Sequence, residues 1–198
     1  YVGADIELAK RIAKRMGVEL VIMPMEFTQV LLAIEDDECD LAISALAYTP
    51  ARASMCTLSK GYYYTDSEAN TGMIIRMEDR DAIQTIDDLA KRTIIAQSGS
   101  LQEAMTADNV AAYREFRRTA LTQTVYEAVM QGDADAGAVD IQTARSFLEN
   151  NPDCGLMLVD QIHFALDPQY QGDRIAAKKG EFSLICFVNG VIDEVLED

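Results

Sequence analysis

The chain contains no tryptophan, a single histidine and four cysteines among its 198 residues. The cysteines are widely spaced and form no C-x-x-C pair, so the sequence predicts neither a zinc cluster nor a redox dithiol; they are Cys39, Cys56, Cys154 and Cys186. The histidine, His163, stands apart from any nucleophile or metal-ligand pattern, and packing or hydrogen bonding is the role expected for it. We therefore expect no metal, no cofactor and no enzymatic activity.

Basic residues are also scarce. Lys and Arg total 17 against 33 Asp and Glu, which gives a formal net charge of -16. Such acidity argues against binding to nucleic acids or to anionic membrane surfaces. No apolar run approaches the roughly 20 residues that a membrane span requires. The opening residues lack the basic and then apolar pattern of a signal peptide. We expect a mature, soluble chain.

Helical and strand patterns alternate along the chain. Apolar residues recur at helical spacing up to Met16, and Gly17 follows where a left-handed residue ends a helix. The sequence further predicts a strand at Leu20–Met23, a helix near 28–35, a strand beginning at Leu41 and an extended segment at 70–76. A final helix is indicated by the spacing of apolar residues between 184 and 195. This alternation predicts an α/β fold.

The middle of the chain repeats this pattern with polar residues at strand ends. The strand predicted at 93–96 is followed by Gln97 and Ser100, and a helix begins at Leu101. The strand predicted at 136–139 ends at Asp140, where another helix begins. Ligands of parallel α/β sheets bind beyond the carboxyl ends of the strands, so these residues are candidates for a binding site. A plain N-cap is the alternative role for Asp140.

Arg52 follows a further strand of this type. The apolar run 41–43 predicts a strand covered on both faces, and Thr49 and Pro50 then form an N-cap and a first helical position. Arg52 is thereby placed in the first turn of a helix, where a cation opposes the helix dipole. A bound anion would resolve this conflict and would make the segment a carboxylate site. The alternative is a solvated surface arginine.

Five motifs in order carry a resemblance to a known family. They are G-A-D-I-E-L-A-K-R-I-A at 3–13, D-L-A-I-S-A-L-A-Y-T-P-A-R at 40–52, L-S-K-G-Y-Y-Y at 58–64, I-D-D-L-A-K-R-T-I-I-A-Q-S-G-S at 86–100 and G-D-A-D-A-G-A-V-D at 132–140. Over nearly its whole length the chain resembles the family 3 solute-binding proteins, the amino-acid receptors of bacterial ABC importers. One departure is Ala4, which stands where the family has an aromatic residue.

The resemblance implies a two-lobed periplasmic-binding-protein type 2 fold with a ligand cleft between the lobes and two crossover strands at the hinge. Lobe 1 would comprise 1–70 plus 172–198, and lobe 2 would comprise 71–171. The crossings would lie near 65–72 and 167–174. Relatives carry a further strand before and a further helix after the matching residues, so lobe 1 is expected to lack its first strand and its last helix.

The resemblance also implies roles for individual residues. Arg52 matches the arginine that pairs with the α-carboxylate of the ligand, a role that suits its planar, two-pronged set of donors. Asp140 matches the aspartate that receives the α-ammonium group. Phe27 matches an aromatic residue that packs on the ligand side chain, although ordinary core packing is the alternative for it.

Further positions complete the implied site. Ser100 and the backbone N–H groups around Leu101 match the lobe 2 part of the carboxylate site. Gln97 matches a variable position that helps select the ligand side chain. Ala45 and Ala47 stand where relatives usually place glycine or serine and then a hydroxyl that touches the ligand. The implied pocket is therefore more apolar than that of a typical receptor for polar amino acids, and the identity of the ligand stays open.

Three functions are compatible with these residues. The first is an extracytoplasmic receptor, periplasmic or a cell-surface lipoprotein with no anchor visible in this chain. It would act as a monomer that captures an amino acid or related small carboxylate for an ABC permease. The second is the ligand-binding sensory domain of a receptor or kinase. The third is an enzyme similar to cyclohexadienyl dehydratases, which act on a carboxylate substrate in a cleft of the same fold.

Overall fold

The computed structural model of the chain describes residues 1–64 and 70–197. The chain divides into two compact units. Unit 1 comprises Tyr1–Thr65 and Asp167–Asp198, and unit 2 comprises Asp66–Leu166. Each unit contains one β-sheet with helices packed on it, so the predicted α/β class is confirmed.

Unit 1 is built on a three-stranded antiparallel sheet. Its strands are β1 (Leu41–Ala47), β2 (Cys56–Tyr63) and β8 (Asp173–Lys178), and its helices are α1 (Ala4–Met16), α2 (Phe27–Glu35), α3 (Pro50–Met55) and α7 (Phe182–Glu197). The strand order is β1-β8-β2, and β8 pairs antiparallel with both neighbours. The centre of this sheet therefore comes from the C-terminal part of the chain.

Both faces of β8 are covered. Ile175 is buried in one cluster with Leu8 and Ile12 of α1 and with the apolar face of α7. Ala176, the next residue, is buried in a second cluster with residues of α2 and β1. Successive side chains of a strand point to opposite faces, so one short apolar run supplies both cores. The predicted helix that Gly17 ends is also confirmed, and the φ angle of Gly17 is 70°.

The strand predicted at Leu20–Met23 is wrong. These residues belong to neither a helix nor a strand. The side chains of Val21 and Met23 are 75% and 48% exposed. A strand needs a neighbour that accepts its backbone hydrogen bonds, and within 1–64 and 70–197 no strand pairs with this segment. The β-forming composition of the segment is not sufficient without that partner.

Unit 2 is built on a five-stranded mixed sheet. Its strands are β3 (Thr71–Arg76), β4 (Thr93–Gln97), β5 (Glu115–Thr119), β6 (Ala136–Asp140) and β7 (Leu156–Phe164), and its helices are α4 (Leu101–Asn109), α5 (Thr122–Gln131) and α6 (Ile141–Asn150). The strand order is β5-β4-β6-β3-β7. Because β4 runs parallel to both β5 and β6, the carboxyl ends of these three strands lie at the same edge of the sheet. Short 3-10 helices lie at Met77–Asp79 and Ile86–Lys91 in this unit and at Pro168–Tyr170 in unit 1.

Local contacts explain where the chain divides. The backbone N–H of Asn70 donates to the carbonyl of Phe164, and the Asn70 side chain accepts from the N–H of Leu166, so Asn70 belongs to unit 2. The ring of Tyr170 stacks on Tyr48 with centroids 4.8 Å apart, which joins the start of the returning segment to unit 1. The units thus divide a few residues before the predicted lobes, 1–70 plus 172–198 and 71–171. Part of the first predicted crossing, residues 65–69, lies outside the described residues.

Gly137 is required by the close approach of α5 to β6. A Cβ atom at this position would lie 2.6 Å from Cγ1 of Val125 and 3.0 Å from Cγ2 of Ile74. Both neighbours are fully buried, so neither has free space to move into. We expect Gly137→Ala to lower the free energy of unfolding by about 1–3 kcal/mol, as overpacked cores do. Urea denaturation monitored by circular dichroism measures this change.

The same substitution at Gly190 is a matched control. Gly190 lies inside α7, it is exposed, and a Cβ atom there would meet nothing within 4 Å. Alanine is the better helix former, so we expect Gly190→Ala to raise the free energy of unfolding by up to about 1 kcal/mol. Equal effects at the two positions would contradict the packing argument for Gly137.

Candidate functional site

The helix that carries Arg52 begins as the sequence predicts. The hydroxyl of Thr49 accepts the backbone N–H of Arg52 at 3.1 Å, and Pro50 is the first helical residue. The carbonyl of Thr49 accepts the N–H of Ala53 at 2.9 Å. Proline fixes its own φ angle near the helical value, so this turn is held rigidly at the end of β1.

The Arg52 side chain is buried rather than solvated. Its relative exposure is 7%. Nη1 donates to the carbonyl oxygen of Ala47 at 2.8 Å, and the guanidinium carbon lies 5.5 Å from the ring centroid of Phe27. Burial lowers the pKa of Arg52, and the neighbouring Cys56 and Asp173 act in the opposite direction. The guanidinium group is thus held by the Ala47 carbonyl and by the face of the Phe27 ring.

Phe27 has the core-packing role that the sequence gives as the alternative, and it also contacts Arg52. It is half-buried and packs against the cluster that includes Ile34 and Leu46, as a core residue does. Its ring also faces the Arg52 guanidinium. Phe27 therefore orients Arg52 through a cation–π contact in addition to filling the core.

Ala45 and Ala47 lie at the irregular end of β1. Ala47 is buried and its carbonyl receives the hydrogen bond from Arg52. Ala45 is exposed and has a φ angle of +45°, in the left-handed region that L-residues rarely adopt. The pairing of β1 with β8 is interrupted between Ala42 and Leu46, which is where this residue sits. The hydroxyl of Tyr62 accepts the Ala45 N–H at 3.2 Å.

In unit 2, three candidate residues lie at the junction of β4 and α4. The Ser100 hydroxyl caps α4 by accepting the N–H of Glu103 at 3.1 Å, and Ser100 and Leu101 are both buried. The side-chain amide of Gln97 donates to the carbonyl of Ala120 at 3.0 Å and accepts from the hydroxyl of Thr122 at 3.1 Å. The side chains of Gln97 and Ser100 are therefore held by hydrogen bonds within the unit.

Asp140 ends the neighbouring parallel strand, β6. Its Oδ1 atom accepts both the backbone N–H and the hydroxyl of Thr143, each at 2.8 Å, so the N-cap role is observed. The negative charge of Asp140 contributes, after burial, to raising the pKa of Tyr126 to about 12. Because β4 and β6 are adjacent and parallel, Asp140 and Gln97 lie at the same edge of the sheet.

The candidate residues thus form one set in each unit. Unit 1 brings Phe27, Ala47 and Arg52 into contact, and Ala45 lies on the same strand. Unit 2 places Gln97, Ser100, Leu101 and Asp140 at the carboxyl ends of two adjacent strands.

Sequence reasoning missed Asp5 and Tyr62. The Tyr62 hydroxyl donates to Oδ1 of Asp5 at 2.7 Å. Asp5 shares one face of α1 with the buried Leu8 and Ile12, because residues three and seven apart lie together on a helix. An acid on the apolar face of a helix signals a buried polar partner, and this signal was available in the sequence.

No helix within the described ranges has both the length and the apolar composition to cross a membrane. The described His, Cys, Asp and Glu side chains do not gather into any group of three that could hold a metal ion.

The two α/β units give the chain the fold of the two-lobed amino-acid-binding proteins among its solved structural neighbours. The chain belongs to the bacterial extracellular solute-binding proteins, family 3, and residues 1–198 match that family. The predicted family and fold class are therefore confirmed.

Three similar proteins illustrate the family. The chain is 29% identical over 154 residues to the arginine-binding extracellular protein ArtP of Bacillus subtilis, and the match covers 77% of this chain and 58% of that protein. It is 32% identical, with a TM-score of 0.85, to the solved amino acid ABC transporter substrate-binding protein AbpA from Streptococcus pneumoniae bound to L-arginine, with 99% of this chain and 78% of that chain covered. It is 24% identical over 147 residues to a cyclohexadienyl dehydratase of Pseudomonas aeruginosa, with 73% of this chain and 53% of that protein covered. The chain therefore spans little more than half the length of the curated relatives named here.

Proposed function

We propose that this protein binds a free α-amino acid for import by an ABC transporter. The observation that carries the proposal is the burial of Arg52, which is 7% exposed while its Nη1 is bonded to the Ala47 carbonyl. A guanidinium group held in this way presents a planar array of donors, and a carboxylate is the anion that matches such an array. The carboxylate of the ligand is therefore assigned to Arg52.

The ammonium group of the ligand is assigned to Asp140 in unit 2. This carboxylate is fixed by Thr143 at the end of β6, where ligands of parallel sheets bind. Ser100 and the first N–H groups of α4, around Leu101, would add donors for the ligand carboxylate, because helix N-termini favour anions.

The side chain of the ligand would be selected by Gln97 and Phe27, which differ in polarity. Ala45 and Ala47 offer backbone groups but no hydroxyl. L-Arginine is the first probe, because ArtP is an arginine-binding protein and AbpA was solved with L-arginine. The net charge of -16 is also suited to attracting a cationic amino acid.

The family relationship supports the cellular context that we propose. The family is extracellular, and AbpA is named as part of an amino acid ABC transporter. We place the protein outside the cytoplasmic membrane, in the periplasm or as a surface lipoprotein, as a monomer that meets a permease. A sensory domain would use the same residues, and attachment of the protein to a kinase or receptor would distinguish that function.

Isothermal titration calorimetry tests the proposed function. The protein, refolded from denaturant to remove ligand that co-purified with it, is titrated with the twenty common amino acids, L-cystine and L-ornithine. We expect one amino acid or one chemically related group to bind with a Kd in the micromolar range or below, about -8 kcal/mol or stronger. Absence of binding across the whole panel would contradict the proposal.

An enzymatic function is the second candidate, because a cyclohexadienyl dehydratase is among the relatives. That reaction needs a general acid at the reacting group. Incubation with prephenate, followed by chromatography for phenylpyruvate, separates the two functions. Turnover would favour the enzyme, whereas amino-acid binding without turnover favours the receptor.

A further inference from the structure

Ala45 occupies an unusual backbone conformation at the proposed site. Its φ angle is +45°, and Asp37 is the only other non-glycine residue with a positive φ in the part of the chain that the structure describes. An L-residue avoids this region because its Cβ atom approaches the neighbouring carbonyl oxygen. Such a conformation persists only where surrounding contacts enforce it, and residues of this kind cluster at functional sites.

A hydrogen-bonded pair contacts the backbone of Ala45. The Tyr62 hydroxyl accepts the Ala45 N–H at 3.2 Å and donates to Oδ1 of Asp5 at 2.7 Å. A phenol has one proton to donate, so the bond to Asp5 fixes the orientation of that proton and directs the oxygen lone pairs to Ala45. Burial, together with Asp5, raises the pKa of Tyr62 above its usual range, which keeps this proton in place.

The strand links Ala45 directly to the arginine. Ala47, two residues further along β1, accepts the hydrogen bond from Nη1 of Arg52 at 2.8 Å. The pairing of β1 with β8 resumes only at Leu46, which lies opposite Arg174. The backbone between Ala42 and Leu46 therefore lacks regular pairing with β8 and is contacted at Ala45 by Tyr62.

We propose that Asp5 and Tyr62 are positioning residues for the ligand. They hold the backbone at Ala45 in the left-handed conformation and thereby set the place of Ala47 and of the guanidinium group bonded to it. This role rests on the proposed function and extends it to two residues, one on α1 and one on β2, that have no assigned part in binding.

A double-mutant cycle tests the role by calorimetry with L-arginine, or with whichever amino acid of the panel the wild type binds. We expect Tyr62→Phe, which keeps the ring, to weaken binding about 10-fold, the value of one ordinary hydrogen bond. In the Ala45→Gly background the same change should cost less than about 3-fold, because glycine adopts positive φ without help. Asp5→Asn, which retains an acceptor, should weaken binding less than Asp5→Ala.

Amide hydrogen exchange of Ala45, followed by NMR without ligand, gives a readout that does not depend on binding. We expect faster exchange of this amide in Tyr62→Phe, with the overall unfolding midpoint little changed. Unchanged exchange at Ala45 would overturn the proposed contact. If the wild type binds an amino acid but Tyr62→Phe weakens binding equally in the wild-type and Ala45→Gly backgrounds, the positioning role alone would be overturned. A wild type that binds no amino acid would overturn the proposed function, and the positioning role with it.

Discussion

Replacing Arg52 by alanine is expected to weaken amino-acid binding by about 3–5 kcal/mol, or roughly 150- to 5,000-fold in Kd. The reason is that the ligand carboxylate would enter the site without its charged partner, and a desolvated charge left unpaired is costly. Some loss of stability should accompany the change, because the Ala47 carbonyl loses its donor and Phe27 loses the cation over its ring. Calorimetry measures the binding, and thermal unfolding without ligand measures the stability.

Arg76 provides a matched control for this substitution. Its side chain is also largely buried, and Nη1 donates to the carbonyls of Val129 and Ala134, each at 2.9 Å, in unit 2. We expect Arg76→Ala to lower stability and to leave affinity unchanged. The decarboxylated amine of the ligand supplies a second control, because wild type and Arg52→Ala should bind it equally weakly. Unchanged affinity of Arg52→Ala for the amino acid would refute the carboxylate assignment.

Local signals in the sequence were sufficient to predict much of the fold. The helix ending at Gly17 and the turn Thr49–Pro50 depend on side chains and backbone only a few residues apart. The same is true of β4 and β6, whose polar residues fall where each strand passes into a helix. These elements were predicted because their stabilising contacts are close in sequence.

Strand pairing between segments far apart in the chain was harder to predict from the sequence. The segment that forms β8 has a short apolar run, and its central place depends on pairing with β1 and β2 much earlier in the chain. β5 has the sequence E-F-R-R-T and no buried residue, so it carries no hydrophobic pattern of a strand. At Leu20–Met23 the composition was that of a strand but the partner was absent from the described part of the chain. Composition reports the preference of a segment, whereas a sheet also requires its neighbour.

In the candidate site, too, the features set by neighbouring residues were predicted, whereas the contacts between residues far apart in sequence were not. The position of Arg52 in a helical first turn followed from Thr49 and Pro50, which are adjacent in sequence. The burial of Arg52 did not follow from these residues, because it involves packing against Phe27 on another helix. Asp5 on the apolar face of α1 indicated a polar partner, but its contact with Ala45 through Tyr62 joins three elements, so the sequence did not show which residues it involves.

Asp140→Asn is expected to weaken amino-acid binding by about 2–5 kcal/mol while leaving stability nearly unchanged. Asparagine and aspartate are about equally good N-caps, so the bonds to Thr143 would be retained and the free energy of unfolding should change by no more than about 0.5 kcal/mol. The substitution removes the negative charge, which the proposed role requires for the ligand ammonium group. Asparagine therefore tests the proposed contact while keeping the observed cap, whereas alanine would remove both. Calorimetry and urea denaturation measure the two effects.

Asp88→Asn is the matched control in the same unit. Asp88 accepts the backbone N–H groups of Gln84 and Thr85 at the start of a 3-10 helix, and these bonds lower its pKa. It has no proposed contact with ligand, so its substitution should leave affinity unchanged. A purely capping role for Asp140 predicts the same result at both positions. Affinity lost at Asp140 alone would assign the ammonium contact to this residue, and affinity retained in Asp140→Asn would refute it.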